Sequence, residues 1–307
     1  MQWIKLGLVW GPDGSSPKAK SHAMVPTPFR LNEKVIRIYV TCLDEEGRGR
    51  PWYVDVKADD PKSILDISSS PLLEIGSPGY FDDNGVITTS VLRINHNLIY
   101  MYFSGVELCK QIRYRIFSGL AISQDNGNTF SRYQTTPILE RSAGEEFFRS
   151  GLYVMHDNNI FKSWYVSGNK WTNLNGKKMP VYALRYLEST DGINWSISGR
   201  ICLALTDEDE HGFGRPWIQM SDTNKYHLFY SIRRKSLSAY RLGYAESLDG
   251  QSWMRKDRAI GLDVSHGCFD SNAIMYSSTI LVGNQIYCFY NGNNFGELGF
   301  GLAKLVK

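Results

Sequence analysis

Apolar and aromatic residues cluster in short runs along this chain, and polar turn residues separate the runs. Five of these runs resemble one another: IRIYVTC, LIYMYFSG, FKSWYVSG, YHLFYSI and QIYCFYNG. Each carries a tyrosine at the matching position, and these marker tyrosines are Tyr39, Tyr102, Tyr165, Tyr230 and Tyr290. They follow one another at intervals of 63, 63, 65 and 60 residues, so the pattern predicts five repeats of about 60 residues.

A second apolar strand and a tight turn precede the aromatic strands, most clearly in NGVITTSVLRINHN, RSGLYVMHDNN and RPWIQMSDTNK. This arrangement predicts β-hairpins. In three repeats a third strand follows and ends in a related turn: GLAISQDNGNTF, YLESTDGINW and GYAESLDGQSW. The Asn-Gly or Asp-Gly pair supplies the positive φ that such a turn needs. The first repeat is degenerate at this point.

Repeats of three or four meandering strands predict an all-β fold, a five-bladed β-propeller that residues 1–307 form as a single domain. The last repeat ends at GFGLAKLVK and has no residues left for an outer strand, whereas the chain begins with an unassigned strand-like segment, WIKLGLVW. Because exposed sheet edges are disfavoured, we expect the N-terminal strand, residues near 2–10, to complete the last blade.

The composition of the chain argues against several classes of function. The 307 residues are 42% hydrophobic and 21% charged, and the net charge of +3 is spread along the chain, so we expect no nucleic-acid surface and no polybasic membrane patch. No run approaches the roughly 20 apolar residues of a membrane span, and the N-terminus lacks signal-peptide features, which favours a cytoplasmic location. The five scattered cysteines favour neither disulfides nor zinc. The oligomeric state stays open.

Candidate site residues follow from the propeller geometry, because the first strand of each blade lines the axis. Counting back 17 to 20 residues from the marker tyrosines reaches His22, Asp83, Glu146, His211 and Asp270. The surrounding segments predict one polar ring, comprising His22, Asp82 or Asp83, Glu145 or Glu146, Arg149, Glu210, His211, Arg215 and Asp270. Neighbouring strand residues point to opposite faces, so at most one acid of each adjacent pair should face the pocket. The sequence does not decide which.

Such a ring suits glycosyl transfer. Inverting hydrolysis needs two carboxyl groups about 6.5–9.5 Å apart, and retention needs about 5–5.5 Å. Clustered acids raise the pKa of one carboxyl group, whereas a nearby arginine keeps another ionised. Trp217, beside the ring, offers an aromatic face to a sugar. No metal-binding spacing occurs, so we predict neither a metal nor a cofactor.

The chain resembles the five-bladed propeller glycosidases of glycoside hydrolase families 43, 32 and 130, and it looks most like uncharacterised members found with bacterial surface-polysaccharide genes. The resemblance covers nearly the whole chain. It is carried by HAMVPTP, FDDNGV, GRPW, FDSN, YNGNNFGELGFGLA and the Ser-x-Asp-Gly-x-x-Trp turns at 189–195 and 247–253.

The resemblance implies Glu145 or Glu146 as general acid and Asp82 or Asp83 as base or pKa tuner. From the predicted ring we expect Asp270 and Glu210 to accept hydrogen bonds from sugar hydroxyls, Arg149 and Arg215 to hold an anion, and Asn272 to be a further substrate-binding residue. His22 stands where the family's base carboxylate is expected, which departs from ordinary hydrolysis. Ser123–Phe130 also fits the Asp-box turn of sialidases, but five repeats disagree with their six blades.

These observations predict an enzyme that cleaves or transfers a glycosidic bond of a bacterial glycan, with inversion, at an acidic axial pocket. The alternatives are a phosphorylase or glycosyltransferase that uses a sugar phosphate, with His22, Arg149, His211 and Arg215 as anion ligands, and a non-catalytic carbohydrate-binding propeller. Two facing carboxylates would favour hydrolysis, one carboxylate opposite a His/Arg cluster would favour phosphorolysis or transfer, and neither would favour binding alone. Sugar identity and linkage stay open.

Overall fold

The computed structural model describes residues 1–237 and 239–306, which form an all-β fold, as predicted. In chain order the strands are β1 (Gln2–Trp10), β2 (Ser21–Arg30), β3 (Val35–Leu43), β4 (Gly49–Lys57), β5 (Ile64–Ile67), β6 (Val86–Asn95), β7 (Leu98–Leu108), β8 (Tyr114–Ser123), β9 (Ser131–Arg132), β10 (Phe148–Asp157), β11 (Ile160–Leu174), β12 (Lys177–Ser189), β13 (Arg200–Leu203), β14 (Glu210–Met220), β15 (Tyr226–Arg234), β16 (Tyr240–Ser247), β17 (Met254–Arg255), β18 (Met275–Val282), β19 (Gln285–Asn291) and β20 (Phe300–Val306). The helical segments of these ranges are a 3₁₀ turn, Asp257–Ala259, and a short helix, α1 (Asn293–Gly296). None of them is long and apolar enough to cross a bilayer.

The aromatic runs form the middle strands β3, β7, β11, β15 and β19, and each marker tyrosine is 0% exposed. These strands are apolar on both faces, as expected for strands that are covered on both sides. Each pairs with an antiparallel strand on either side. The repeats of the sequence are therefore repeats of a buried strand with its two neighbours.

Antiparallel pairing connects the strands in consecutive groups, β2–β5, β6–β9, β10–β13, β14–β17 and β18–β20 with β1. Short parallel pairings, β8 with β10 and β12 with β14, join the three middle groups into a twelve-stranded sheet. The N-terminal strand pairs with β20 from Gln2 to Trp10, which confirms the predicted pairing of residues 2–10 with the last repeat.

Each hydrophobic core cluster between groups takes side chains from two consecutive groups. One cluster contains Tyr102 of β7 and Leu152 of β10, and another contains Trp217 of β14 and Tyr290 of β19. A further cluster packs Ile36 and Val54 of the first group against Phe289 of the last. The first and last groups are thus joined by side-chain packing.

The Asp-Gly turns adopt the conformation that the sequence predicts. The Ser189 hydroxyl donates to the Asp191 carboxylate at 2.9 Å, and that carboxylate accepts two backbone amides at 2.8 Å. Gly192 has φ +71° and Gly250, in the second such turn, has φ +72°. Amide donors lower the pKa of Asp191 to about 2 despite the opposing effect of burial. These turns are structural elements.

Candidate functional site

A cavity of about 640 Å³ lies where the first strands of the five groups meet, a volume within the range of small-molecule sites. Every first strand contributes to the wall, and the residues that occupy equivalent positions are Val25 of β2, Thr89 of β6, Gly151 of β10, Arg215 of β14 and Tyr276 of β18. Segments between strands complete the wall. The cavity is therefore assembled from all five repeats.

A β-bulge occurs at this point of every first strand, because the ladder to the middle strand skips in register there. Four of the five bulges carry a residue with positive φ: Val25 (+53°), Gly151 (+64°), Arg215 (+40°) and Tyr276 (+55°). Such a conformation is costly for a β-branched or bulky side chain. A bulge re-aims a side chain, and here the bulged residues contribute to the cavity wall.

The charge of the cavity wall is one-sided. Its ionisable residues with basic side chains are Arg113, Lys177, His211, Arg215, Arg233 and Lys235. None of the described wall residues is an aspartate or a glutamate. Aromatic residues supply much of the remaining wall, namely Tyr114, Phe148, Tyr182, Tyr240, Tyr276 and Phe295. The wall thus offers hydrogen-bond donors, positive charge and aromatic rings.

Arg215 is 4% exposed and is held by three hydrogen bonds. Its guanidinium donates to the carbonyl oxygens of Tyr276 at 3.0 Å and Ser277 at 3.3 Å, and to the Thr27 hydroxyl at 2.9 Å. Its Nε is buried without a hydrogen-bond partner among residues 1–237 and 239–306. Burial lowers the pKa of Arg215 to about 9, so the group is still a cation at neutral pH.

Arg233 is enclosed by aromatic rings. Its guanidinium carbon lies 4.6 Å from the ring centre of Tyr240 and 6.0 Å from those of Tyr182 and Phe295. Burial raises the pKa of both tyrosines, whose hydroxyls lie 3.0 Å apart, so these rings are neutral at ordinary pH. Nη1 of Arg233 is buried without a partner in the described part of the chain. The buried Arg215 and the partly buried Arg233 therefore line a cavity whose described wall residues include no carboxylate.

His211 adds an acceptor to this wall. It is 3% exposed, and its Nδ1 lies 3.0 Å from the carbonyl oxygen of Pro180. A carbonyl oxygen only accepts, so Nδ1 carries the hydrogen and the neutral ring keeps a lone pair on Nε2. Burial lowers the pKa of His211, and the charges of Arg233 and Lys235 lower it further. The neutral form is favoured at pH 7.

The predicted acids Asp82, Glu145, Glu210 and Asp270 lie in buried ion pairs and not at the cavity wall. Asp82 accepts from Arg132 of β9 at 2.8 Å, Glu210 accepts two bonds from Arg255 of β17 at 2.9 and 2.6 Å, and Asp270 pairs with Lys5 of β1. Each of these cations belongs to the outermost strand of its own group. The pairs fasten the outer strands.

Glu145 is 0% exposed and has the most extensive contacts of these acids. It accepts from the Tyr165 hydroxyl at 2.8 Å and lies 3.2 Å from Arg149 Nε and 3.7 Å from Arg185 Nη1. The backbone amide of Gly199 donates to it at 3.2 Å. The predicted anion ligand Arg149 is therefore bound to a protein carboxylate, and it does not line the cavity.

Asp83 and Glu146, the second acids of the two sequence neighbours, take no part in the buried ion pairs that Asp82 and Glu145 form. Asp83 is partly buried and accepts from the backbone amide of Gly79 at 2.9 Å. Glu146 is exposed and accepts from the amide of Gly144 at 2.8 Å. Burial raises the pKa of Asp82 against the opposing effect of Arg132. A catalytic role for Asp82, Asp83, Glu145 or Glu146 stays a prediction, and none of them contacts the cavity.

The predicted substrate-binding residues divide into two sets. His211 and Arg215 line the cavity. Trp217 is buried in a core cluster, where its indole donates to the Thr279 carbonyl at 3.0 Å, and it supports Arg215 at 4.8 Å from the ring centre. His22 is half-buried beside the Ser21 hydroxyl at 2.7 Å, and Asn272 is exposed. The structure does not bring Trp217, His22 or Asn272 to the cavity.

Several wall residues were not predicted from the sequence, although the repeat contains a signal for some of them. The bulged residues Val25, Thr89, Gly151, Arg215 and Tyr276 precede the marker tyrosines by 13 to 15 residues, closer than the 17 to 20 residues used for the acids. Arg113, Lys177 and Lys235, which lie at or next to strand ends, have no such signal. In the described ranges no group of three His, Cys, Asp or Glu side chains is placed to hold a metal ion.

Solved structures with the same fold are glycoside hydrolases. One, described as a glycoside hydrolase, superposes with a TM-score of 0.77 at 18% identity and covers 99% of this chain and 91% of its own. A putative glycosidase from Bacteroides thetaiotaomicron gives 0.71 at 14% identity, with 98% and 96% covered. The GH43_1 enzyme from Xanthomonas citri complexed with xylose gives 0.65 at 14% identity, with 99% and 90% covered.

No family model matches the chain. Two mycobacterial proteins do match: "Uncharacterized protein Rv1502" and "Uncharacterized protein MT1551", from two strains of Mycobacterium tuberculosis. Each is 30% identical over 305 residues, which cover 99% of this chain and 99% of the relative. The chain therefore has the fold of the propeller glycosidase superfamily, and it belongs to the same family as the mycobacterial protein Rv1502.

Proposed function

We propose that this protein binds an anionic carbohydrate, a sugar that carries a carboxylate or phosphate group, in the cavity between the five strand groups. One observation carries the proposal: the wall has five cationic side chains beside the neutral His211, and no described wall residue is a carboxylate. A wall of this charge favours anions, and its described residues lack the pair of carboxylic acids that hydrolysis needs.

The proposal includes a five-bladed propeller, formed by residues 1–307 as one domain, in which the N-terminal strand completes the fifth blade. Five antiparallel strand groups support this count. The packing of Ile36 and Val54 against Phe289 supports a ring in which the fifth blade contacts the first. In such a ring the bulged residues of the first strands surround the axis.

The three kinds of wall residue match the three parts of such a ligand. Arg215 and Arg233 supply guanidinium donors suited to a carboxylate or a phosphate. Tyrosine rings, such as Tyr276, offer flat apolar surface to a sugar ring. His211 offers Nε2 as an acceptor for a sugar hydroxyl, and acceptors are scarce in a wall rich in donors.

A second candidate is transfer of a sugar from a sugar-phosphate donor, which the neutral His211 beside buried arginines favours. The bond from the anomeric carbon to the acceptor oxygen would form as the bond to the phosphate oxygen breaks. The acceptor proton would pass to His211 Nε2, and the arginines would hold the departing phosphate. Release of inorganic phosphate from sugar 1-phosphates with sugar acceptors, and its loss in His211→Gln, tests this candidate.

Calorimetric titration with sugars paired by charge tests the binding proposal: glucose with glucuronate and glucose 1-phosphate, galactose with galacturonate, and mannose with mannose 1-phosphate. Inorganic phosphate serves as a probe that does not depend on the sugar. We expect the charged member to bind more tightly than its neutral partner and phosphate to raise the thermal midpoint.

Arg233→Met should lose these effects. Arg234→Met, on the next residue of the same strand, does not touch the cavity and should retain them. Neutral sugars that bind as tightly as charged ones, or no binding of phosphate and of any acidic sugar, would overturn the proposal.

A further inference from the structure

The cavity has a second set of cations at its opening. Arg113, Lys177 and Lys235 line the cavity and are exposed to solvent, whereas Arg215 is 4% exposed. Resting on the proposed function, we infer that the ligand carries two anionic groups separated by sugar, one held by Arg215 and Arg233 and one by these three opening cations. The ligand class is a doubly charged saccharide.

The three opening cations come from three different parts of the chain. Arg113 immediately precedes β8, Lys177 begins β12 at the tip of the β11–β12 hairpin, and Lys235 follows β15. Three segments that are far apart in sequence thus bring positive charge to one opening. Their mutual repulsion opposes this arrangement, and an anion at the opening would relieve it.

The segments around these cations are tied to one another, whereas the cations themselves form no ion pair with a carboxylate of the described residues. Arg113 lies 3.5 Å from the sulfur of Met179, and Lys178 donates to the Gln111 carbonyl at 3.1 Å, which ties the hairpin to the neighbouring segment. Among the described residues, no carboxylate lies within ion-pair distance of Arg113, Lys177 or Lys235.

Asp209 contacts the segment that carries Lys235, and its bonds go to groups other than the lysine ammonium. Its carboxylate accepts from the Ser236 amide at 2.7 Å and from the Ser236 hydroxyl at 2.6 Å, and its carbonyl accepts from the Lys235 amide at 2.6 Å. These bonds fasten the segment after β15 without an ion pair to the Lys235 ammonium group. The cation is therefore available to a ligand.

The two sets of cations differ in exposure, so their contributions to binding affinity should depend differently on salt concentration. Exposed charges are screened by salt, with a Debye length of about 10 Å at 0.1 M, whereas buried charges are screened much less. The opening cations should therefore add affinity that salt removes, and the buried Arg215 should add affinity that persists. Each exposed contact contributes a factor of roughly two to five.

The test compares ligands with one and two charges on wild type and on a triple variant, Arg113→Met, Lys177→Met and Lys235→Met. Glucose 1-phosphate is compared with glucose 1,6-bisphosphate, and galacturonate with digalacturonate, so the two pairs distinguish phosphate from carboxylate ligands. The control removes the same net charge at exposed lysines that do not line the cavity, Lys34→Met, Lys57→Met and Lys304→Met.

In at least one pair, wild type and control should bind the doubly charged member roughly 10- to 100-fold more tightly than the singly charged one. The triple variant should lose that advantage and bind the singly charged member as wild type does. The advantage should also fall between 50 and 500 mM sodium chloride.

Equal affinity for both members in both pairs, or an advantage that survives in the triple variant, overturns the inference. If the singly charged ligands still bind through Arg233, the proposed function stands. If no charged ligand binds at all, both fall together.

Discussion

Replacing Arg233 by methionine is expected to weaken ligand binding and to stabilise the fold. The side chain has no hydrogen bond within the described residues, and its Nη1 is buried. Its contacts are the rings of Tyr240, Tyr182 and Phe295. Methionine keeps much of the apolar contact with these rings and removes the charge.

The magnitude follows from two opposing contributions. Desolvating a fully buried cation without a counter-ion costs several kcal/mol, and the partly buried Arg233 bears a part of that cost. Contact with aromatic rings returns about 2 kcal/mol when it is shielded from water. The variant should therefore have a free energy of unfolding up to about 2 kcal/mol larger than that of wild type. In chains of this size, a change of one kcal/mol in the free energy of unfolding shifts the thermal midpoint by roughly 2–4 °C. The thermal midpoint of the variant should therefore rise by a few degrees.

Binding should change in the opposite direction. A hydrogen bond to a charged group contributes about 1.5–3 kcal/mol, which corresponds to a loss of roughly 10- to 150-fold in affinity. Urea denaturation gives the stability and calorimetric titration with the best acidic sugar gives the affinity. Arg234→Met is the control, because it makes the same substitution on the opposite face of β15.

If the variant is less stable than wild type by more than about 1 kcal/mol, Arg233 has a compensating partner in the folded protein. Removing a cation that has such a partner destabilises the fold. Unchanged affinity would refute its role as an anion ligand.

Three further predictions concern the buried acids, His211 and the turns. Glu145→Gln should destabilise the fold by about 3–5 kcal/mol, because it leaves buried arginine charge uncompensated, whereas the exposed Glu146→Gln should change stability by no more than about 0.5 kcal/mol; urea denaturation of both variants tests this, and equal effects would contradict it. Burial lowers the pKa of His211 below its ordinary value of about 6.5, so the unfolded chain takes up this proton first, and wild type should lose stability relative to His211→Gln as the pH falls below that value; a difference between the two that is independent of pH from 8 to 5 would be the opposite result. Asp191→Ala should cost about 1–2 kcal/mol because two turn amides lose their acceptor, and the exposed Asp222→Ala should cost less than about 0.5 kcal/mol by the same measurement; similar losses would count against the turn's structural role.

The repeat could be predicted from the sequence because its most regular residue, the marker tyrosine, is buried in every repeat. Tyr39 and Tyr290, at opposite ends of the chain, occupy equivalent fully buried positions, and the hydrophobic pattern around them predicts the middle strands. Pairing of residues 2–10 with the last strand was readable for a similar reason, because the last repeat lacked a strand. Both inferences depend on local pattern.

The site was less accessible because its residues acquire their roles through contacts that the pattern does not contain. Glu210 forms an ion pair with Arg255, 45 residues later in the chain, and Asp270 forms one with Lys5, 265 residues earlier. A recurring acid before a strand predicts a shared position in the repeat, and it does not reveal which distant cation neutralises it. Arg215 was identified as an anion ligand, whereas Arg233 lies on a strand that the pattern predicts only as core.

The bulges of the five first strands have an evolutionary consequence. A bulge is created by one extra residue in the ladder, so its backbone path does not depend on a particular side chain. Relatives can therefore exchange the side chains at positions 25, 89, 151, 215 and 276 while the surrounding ladders are preserved, provided that the new residue tolerates its dihedral angle. Divergence in ligand preference should concentrate at these positions, and sorting family members by them should group those that share a ligand.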